Sequence, residues 1–415
     1  MAVFHTGERT LVRATSKRVS LAVVLTSAAV ALSCTAASSA GASLAGATMA
    51  ATSTAATSTA ATGSAGTGTA AAAVSAARPA WRVVYRHQGT DITALTASGP
   101  DNAWAVGNFW DAKGRPHGQL LHWDGSRWRL VSYPDQRVHL ISAAYALTAT
   151  DAWFSVYGSG NGELLHWRNG RWSAMSLPAN LQNIDVISDR NIWAVGGMLP
   201  HCDGGPGDSR GCTVTSHWNG NAWTRYPLGA FEGVRFGASS SSDVWAVGDS
   251  FVRVIRDSPS FVPYVFHWTG SAWKRTRLAL HRTSWWSSIV ALSPRDVYVA
   301  ESTMAHRNAC AMRWNGSRWT PFYLKGSAGP CHWATSDYHR GLWFMAQPSG
   351  PGFAWAHWTG ARFVTTPAYQ PSKNGWNTDG FTIAAVPHSS LVWLFGSYCG
   401  VSRPCRIKGV IAELR

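Results

Sequence analysis

A short segment of the form Asp-x-Trp-Ala-Val-Gly recurs seven times along this chain, and no other feature restricts its fold as strongly. Clear copies run from Asp101 to Gly107, Asp151 to Gly158, Asn191 to Gly196 and Asp243 to Gly248. Degenerate copies run from Asp296 to Glu301, Gly341 to Ala346 and Leu391 to Gly396. The aromatic residue in each (Trp104, Trp153, Trp193, Trp245, Tyr298, Trp343 and Trp393) returns every 40 to 53 residues, roughly the length of one repeated supersecondary unit. A second segment, His-Trp-x-Gly-x-x-Trp, alternates with the first but occurs only six times: His122 to Trp128, His166 to Trp172, His217 to Trp223, His267 to Trp273, Arg313 to Trp319 and His357 to Phe363.

Residue chemistry turns these segments into strands. In Ala103-Trp104-Ala105-Val106-Gly107 the large residues face one side and the small ones the other, a period-two pattern with both faces apolar. Such a strand sits between two sheets stacked face to face. The Gly inside each second segment supplies the positive φ of a tight hairpin turn. The first segment is therefore the second strand of a four-stranded unit, and the second segment joins its third and fourth strands. The innermost strands precede the first segment, at Asp91 to Thr96, Leu140 to Leu147, Asn183 to Ile187, Gly233 to Ala238, Trp286 to Ala291, Cys331 to Thr335 and Phe381 to Val386. With 24 Trp, 40 Gly and only 14% charged residues, the composition suits short aromatic strands and tight turns. The fold expected is all-β: a seven-bladed β-propeller with four antiparallel strands per blade.

Seven copies against six yields the closure. The last repeat stops at Gly409-Val410-Ile411-Ala412-Glu413-Leu414, which matches a third strand such as Gly118 to His122. The missing fourth strand lies at the other end of the chain, where Ala80-Trp81-Arg82-Val83-Val84-Tyr85 aligns with Arg127 to Ser132. Pairing the N-terminal strand with the C-terminal repeat removes the open edges of an unclosed array. An open β-solenoid, the competing architecture, has no need of a split repeat.

The combination Asp-Val-Trp-Ala-Val-Gly with His-Trp-Asp-Gly-Ser-x-Trp resembles the repeats of secreted actinobacterial and myxobacterial β-propeller proteins, across essentially all of 80–415. The hairpin is also distantly similar to the Asp-box of sialidase-like propellers, without reproducing its Ser-x-Asp-x-Gly-x-Thr-Trp form. The resemblance implies the propeller fold and export. It implies no catalytic set.

The first 40 residues are expected to be a signal peptide: Arg9, Arg13, Lys17 and Arg18 precede a short apolar run from Leu21 to Leu32. Lipidation at Cys34 is the lesser expectation, because Ala31 stands where a lipobox carries Leu, and no transmembrane anchor is expected. Residues 41–77 are almost wholly Ala, Ser, Thr and Gly, the composition of a flexible linker, and the propeller is placed at 78–415. Without residues 1–77 the chain keeps 32 basic against 20 acidic residues, a net charge of +12. That balance favours anionic surfaces. Its Arg residues are scattered singly, however, which argues against nucleic acid. In an exported domain, six cysteines beyond Cys34 imply three disulfides, and the blade positions suggest Cys202–Cys212, Cys310–Cys331 and Cys399–Cys405. The Cys and His spacing suggests no metal site, and no cofactor is expected.

The residues proposed for a site lie where inner strands begin. Arg235, Trp285, Trp286, His332, Trp333 and Trp376 offer stacking faces and polar groups for a sugar. Asp91, Glu232 and Asp379 would bring carboxylates to one channel mouth, the weaker expectation of glycosidase or lyase chemistry. Packing between blades is the competing role for Trp285, Trp286 and Trp333. The five motif histidines recur at one structural position, so a packing or hydrogen-bonding role is expected of them. The reading is an extracellular, monomeric binding module for carbohydrate, an anionic cell-wall polymer or another extracellular protein. A propeller hydrolase or lyase and a protein scaffold are the alternatives.

Overall fold

The structure is a computed structural model. It describes residues 80–134, 140–157, 162–178, 181–199, 212–255, 258–278, 286–301, 309–323, 331–346, 354–366, 369, 377–399 and 407–414. The expected signal peptide and linker lie outside these residues.

Twenty-eight strands form seven antiparallel sheets of four, and the described residues contain no helix. The first strands of the seven blades are Asp91–Gly99, Leu140–Thr148, Leu181–Ser188, Glu232–Ser240, Trp286–Ser293, Cys331–Ser336 and Asn377–Ala385. Each touches its counterparts in the two neighbouring blades all the way round, so they form the inner wall of a closed ring. Fourth strands such as Trp128–Val131 and Trp273–Arg277 are short and mostly exposed, as an outer rim requires.

Blade 7 is the split repeat. Its sheet runs Asn377–Ala385, Val392–Cys399, Ile407–Leu414 and then Trp81–Gln88 from the other end of the chain. Trp81 stands opposite Leu414 and Arg82 opposite Glu413, as Trp128 stands opposite Trp123 and Arg129 opposite His122 in blade 1.

The blades cohere by large-on-small packing. Trp104 and Val106 pack with Ala152 and Phe154 of blade 2, while Ala103 and Ala105 of the same strand receive Trp393 and Phe395 of blade 7. Marker rings then meet hairpin rings of the next blade: Trp393 lies 5.1 Å from Trp123 and 5.4 Å from Trp128, and Trp193 lies 4.8 Å from Trp268 and 5.0 Å from Trp273. Burying one such ring removes roughly 150–250 Å² from water, an upper figure of about 4–6 kcal/mol before entropy.

The hairpin turns differ in one respect from the sequence expectation. The Gly has positive φ in all six (Gly125, Gly170, Gly220, Gly270, Gly316 and Gly360), but only Asn169-Gly170 is a two-residue turn. The others are four-residue loops whose first side chain accepts backbone N–H groups. Asp124 accepts from Ser126 and Arg127 at 3.0 Å each, and Asn219 from Asn221 and Ala222 at 2.9 Å each. A side-chain acceptor does there what a second residue of positive φ does in the shorter turn.

Cys310 and Cys331 form a disulfide with Cα atoms 4.7 Å apart, tying the third strand of blade 5 to the inner strand of blade 6. Cys202 and Cys405 lie outside the described residues, and with them the other two expected pairs.

Candidate functional site

The most conspicuous residues of the repeat are fully engaged in holding blades together. In five blades the motif His lies against the marker Trp, stacked in four and tilted in blade 1, and its Nε2 meets an Asp or Asn oxygen at the start of the second strand or in the turn before it. The pairs are His122–Asn102 at 2.7 Å, His166–Asp151 at 2.9 Å, His217–Asn191 at 3.0 Å, His267–Asp243 at 2.9 Å and His357–Asp337 at 2.8 Å. Ring centroids lie 3.8 Å apart for Trp153 and His166 and 4.3 Å apart for Trp343 and His357. Where the acceptor is Asn, its amide also reaches the next blade: Asn102 donates to the Thr148 carbonyl and Asn191 to that of Ser241. Burial lowers the pKa of His122 and His217, which keeps these imidazoles neutral and packed.

Three blades vary the arrangement. Blade 5 replaces His and Trp by Arg313 over the Tyr298 ring, with Asp296 accepting from Arg313 at 2.7 Å. Blade 7 has Glu413 at the His position, bound by Arg82 at 2.6 Å, so the group that holds one blade together elsewhere ties the two chain ends here. In blade 6 the acid comes from Asp337, four residues ahead of the expected place. Its carboxylate occupies the space over Gly341, where a Cβ would lie 2.2 Å from Asp337 Oδ2 and from the Trp358 carbonyl.

Among the residues singled out from sequence, Trp285 and Trp376 lie outside the described residues. Glu232, Trp286, His332 and Asp379 are placed by their backbones in the inner strands. His332 and Asp379 are the bulged residues of blades 6 and 7, at the register slips between Cys331 and Trp333 and between Thr378 and Gly380. Such bulges re-aim the start of a strand. Asp91 and Glu232 occupy one register position, opposite Asn108 and Asp249, in blades 1 and 4. Three blade steps separate them, the widest interval a seven-membered ring allows. Asp91 is moreover engaged across the blade 7 boundary, where Ser397 donates to its carboxylate.

Arg235 and Trp333 share a second register position, two residues beyond the marker on the facing strand, opposite Val247 and Met345. The other five blades carry Ala94, Ala143, Asn183, Ser288 and Thr382 there. Two residues further along, opposite the markers, stand Thr96, Tyr145, Asp185, Gly237, Val290, Thr335 and Ala384. Bulk and charge therefore depart from the small-residue pattern of the inner wall at Tyr145, Asp185, Arg235 and Trp333. All four are half-buried.

These departures form an electrostatically coupled set. Tyr145 donates to the Ile184 carbonyl of blade 3 and lies within reach of both Asp185 and Arg235. Burial, with Asp185 adding to it, raises the Tyr145 pKa. Burial pushes Asp185 up to about 6 against one backbone hydrogen bond, from Val186, that lowers it. The Arg235 pKa is lowered by burial. Tyr338, in the turn of blade 6 with φ of 60°, also feels Asp185 and has a raised pKa. Sequence reasoning missed Tyr145, Asp185 and Tyr338. The first two sit in mid-strand, where only an aligned register of all seven inner strands exposes them as exceptions.

No family model and no curated protein matches the sequence. Solved structures do. A puromycin-hydrolyzing peptidase of Mycobacterium tuberculosis aligns at TM-score 0.50 and 10% identity, over 78% of this chain and 50% of the peptidase. YCF48 from Cyanidioschyzon merolae aligns at TM-score 0.48 and 14% identity, over 81% of this chain and 99% of that one. The β-propeller domain of the Trilobed protease from Pyrococcus furiosus aligns at TM-score 0.48 and 11% identity, over 74% and 91%. At these identities the likeness concerns the fold alone.

Proposed function

We propose that this chain is an exported binding propeller that recognises carbohydrate or cell-wall polymer at the inner wall and the rim where the inner strands begin. One observation carries the reading. Residues that serve the ring recur from blade to blade, whereas Arg235 and Trp333 break the pattern of small residues at a single register of the inner wall. Trp333 is half-buried; among the residues whose side chains are described it stacks on no other ring and joins no hydrophobic cluster. A flat apolar face beside polar groups suits a sugar ring. The Cys310–Cys331 bridge and the basic, apolar N-terminal segment support export.

The test is a glycan array together with sedimentation of the protein on isolated cell walls. Binding is expected, and Trp333→Ala should weaken it about 10-fold or more without changing the melting temperature, as loss of a stacking face does. Absence of binding to every glycan and wall preparation would overturn the reading.

A further inference from the structure

Resting on that reading, we infer that the propeller's ligand is an anionic glycan, whose acidic group is held inside the ring by the Arg235 guanidinium beside Tyr145, with a sugar face against Trp333. Arg235 stands half-buried on the inner strand of blade 4, and its guanidinium interacts electrostatically with Tyr145 of blade 2, two blade steps away. Among the residues whose side chains are described, none forms a hydrogen bond or ion pair with it. Burial withdraws hydration from that cation and lowers its pKa, so an anionic ligand that completes its contacts is favoured there. The Tyr145 hydroxyl gives its proton to the Ile184 carbonyl, so its oxygen is left as an acceptor for a sugar hydroxyl.

The other walls carry small side chains at the same register. Ala94, Ala143 and Thr382 stand there at the level of Arg235 and Trp333, small and half-buried. Trp333 is two blade steps from Arg235, which sets an apolar face and a positive fork at one height on different walls. A planar fork matches both a carboxylate and a phosphate, so the shared chemistry is an anionic oxygen group on a glycan or polyol chain. The chain's excess of basic residues adds long-range attraction for such polymers.

Titration calorimetry on the exported protein decides the matter, using an oligoglucuronide, a neutral glucose oligomer of the same length and an oligomeric glycerol phosphate. The acidic probes should bind more tightly than the neutral one. Arg235→Met should erase that preference, a loss of roughly 10- to 100-fold for a charge-assisted contact. Preference for the glucuronide alone, for glycerol phosphate alone or for both identifies the anion. Arg235→Met should also melt at the same or a higher temperature without ligand, since it removes a charge that burial has partly stripped of water; a structurally paired Arg would do the reverse. Equal binding of acidic and neutral probes, or a preference that survives both Arg235→Met and Arg235→Gln, would overturn the inference and leave the proposed function standing. Failure of all three probes and of cell walls to bind would overturn both.

Discussion

At the scale of single residues, position in the ring decides what a side chain can do. A His facing Asn or Asp and lying on Trp is fixed on three sides, and it recurs because the blade needs it. Asp185 is the opposite case: it belongs to one blade only, and burial holds its pKa at about 6, against an ordinary value of 3.8. The sign of its effect follows by linkage. Between pH 3.8 and 6 the folded chain keeps a proton that the unfolded chain has lost, so stability declines as pH rises through that window and the full cost is present above it. Asp185→Asn should therefore stabilise the fold at pH 7.5 by an amount on the order of 1–3 kcal/mol, seen as a higher melting temperature, and change it little at pH 3.5. Melting curves of the two proteins at both pH values check this; equal curves at pH 7.5 would show that the carboxylate is well solvated.

At the scale of strands and turns, much was legible and the remainder has identifiable physical causes. The inner strands fall where the segment ahead of each marker placed them, because period-two patterning with two apolar faces admits few other readings. The bulges at Thr93, Ser142, Gln182 and His332 were not legible, since one inserted residue leaves the flanking alternation intact on either side. The turn of blade 6 was hidden for a related reason. Gly341 reads as a decayed Asp, yet its missing side chain is what admits Asp337 to His357, and Asp337 also accepts from the backbone of His339 and Gly341. Gly341→Ala should destabilise the protein by about 3 kcal/mol, as forcing a methyl group into filled space does. Chemical denaturation measures it; a change below about 0.5 kcal/mol would mean that the turn relaxes freely.

At the scale of the whole molecule, seven blades of one design close only because the chain ends share a blade. The Arg82–Glu413 pair and the register from Trp81 opposite Leu414 to Gln88 opposite Lys408 hold that blade, and Trp81 packs into the cluster containing Trp343, Trp355 and Tyr369. The closure was readable from a count of repeats. The inner wall was readable only in part: Arg235 and Trp333 stand out as loop and strand-start residues, whereas Tyr145 and Asp185 acquire meaning only when seven strands are set side by side. Blade 7 also carries the packing partners of blades 1 and 6, so its loss propagates both ways round the ring. The most direct measurement is thermal unfolding of a chain lacking residues 78–88, beside the intact protein. Removing the fourth strand of blade 7 is predicted to lower the melting temperature by roughly 10 °C or more, or to abolish the cooperative transition, as expected when an edge and its buried aromatic face are laid open. An unchanged, cooperative transition would contradict a ring closed by its own two ends.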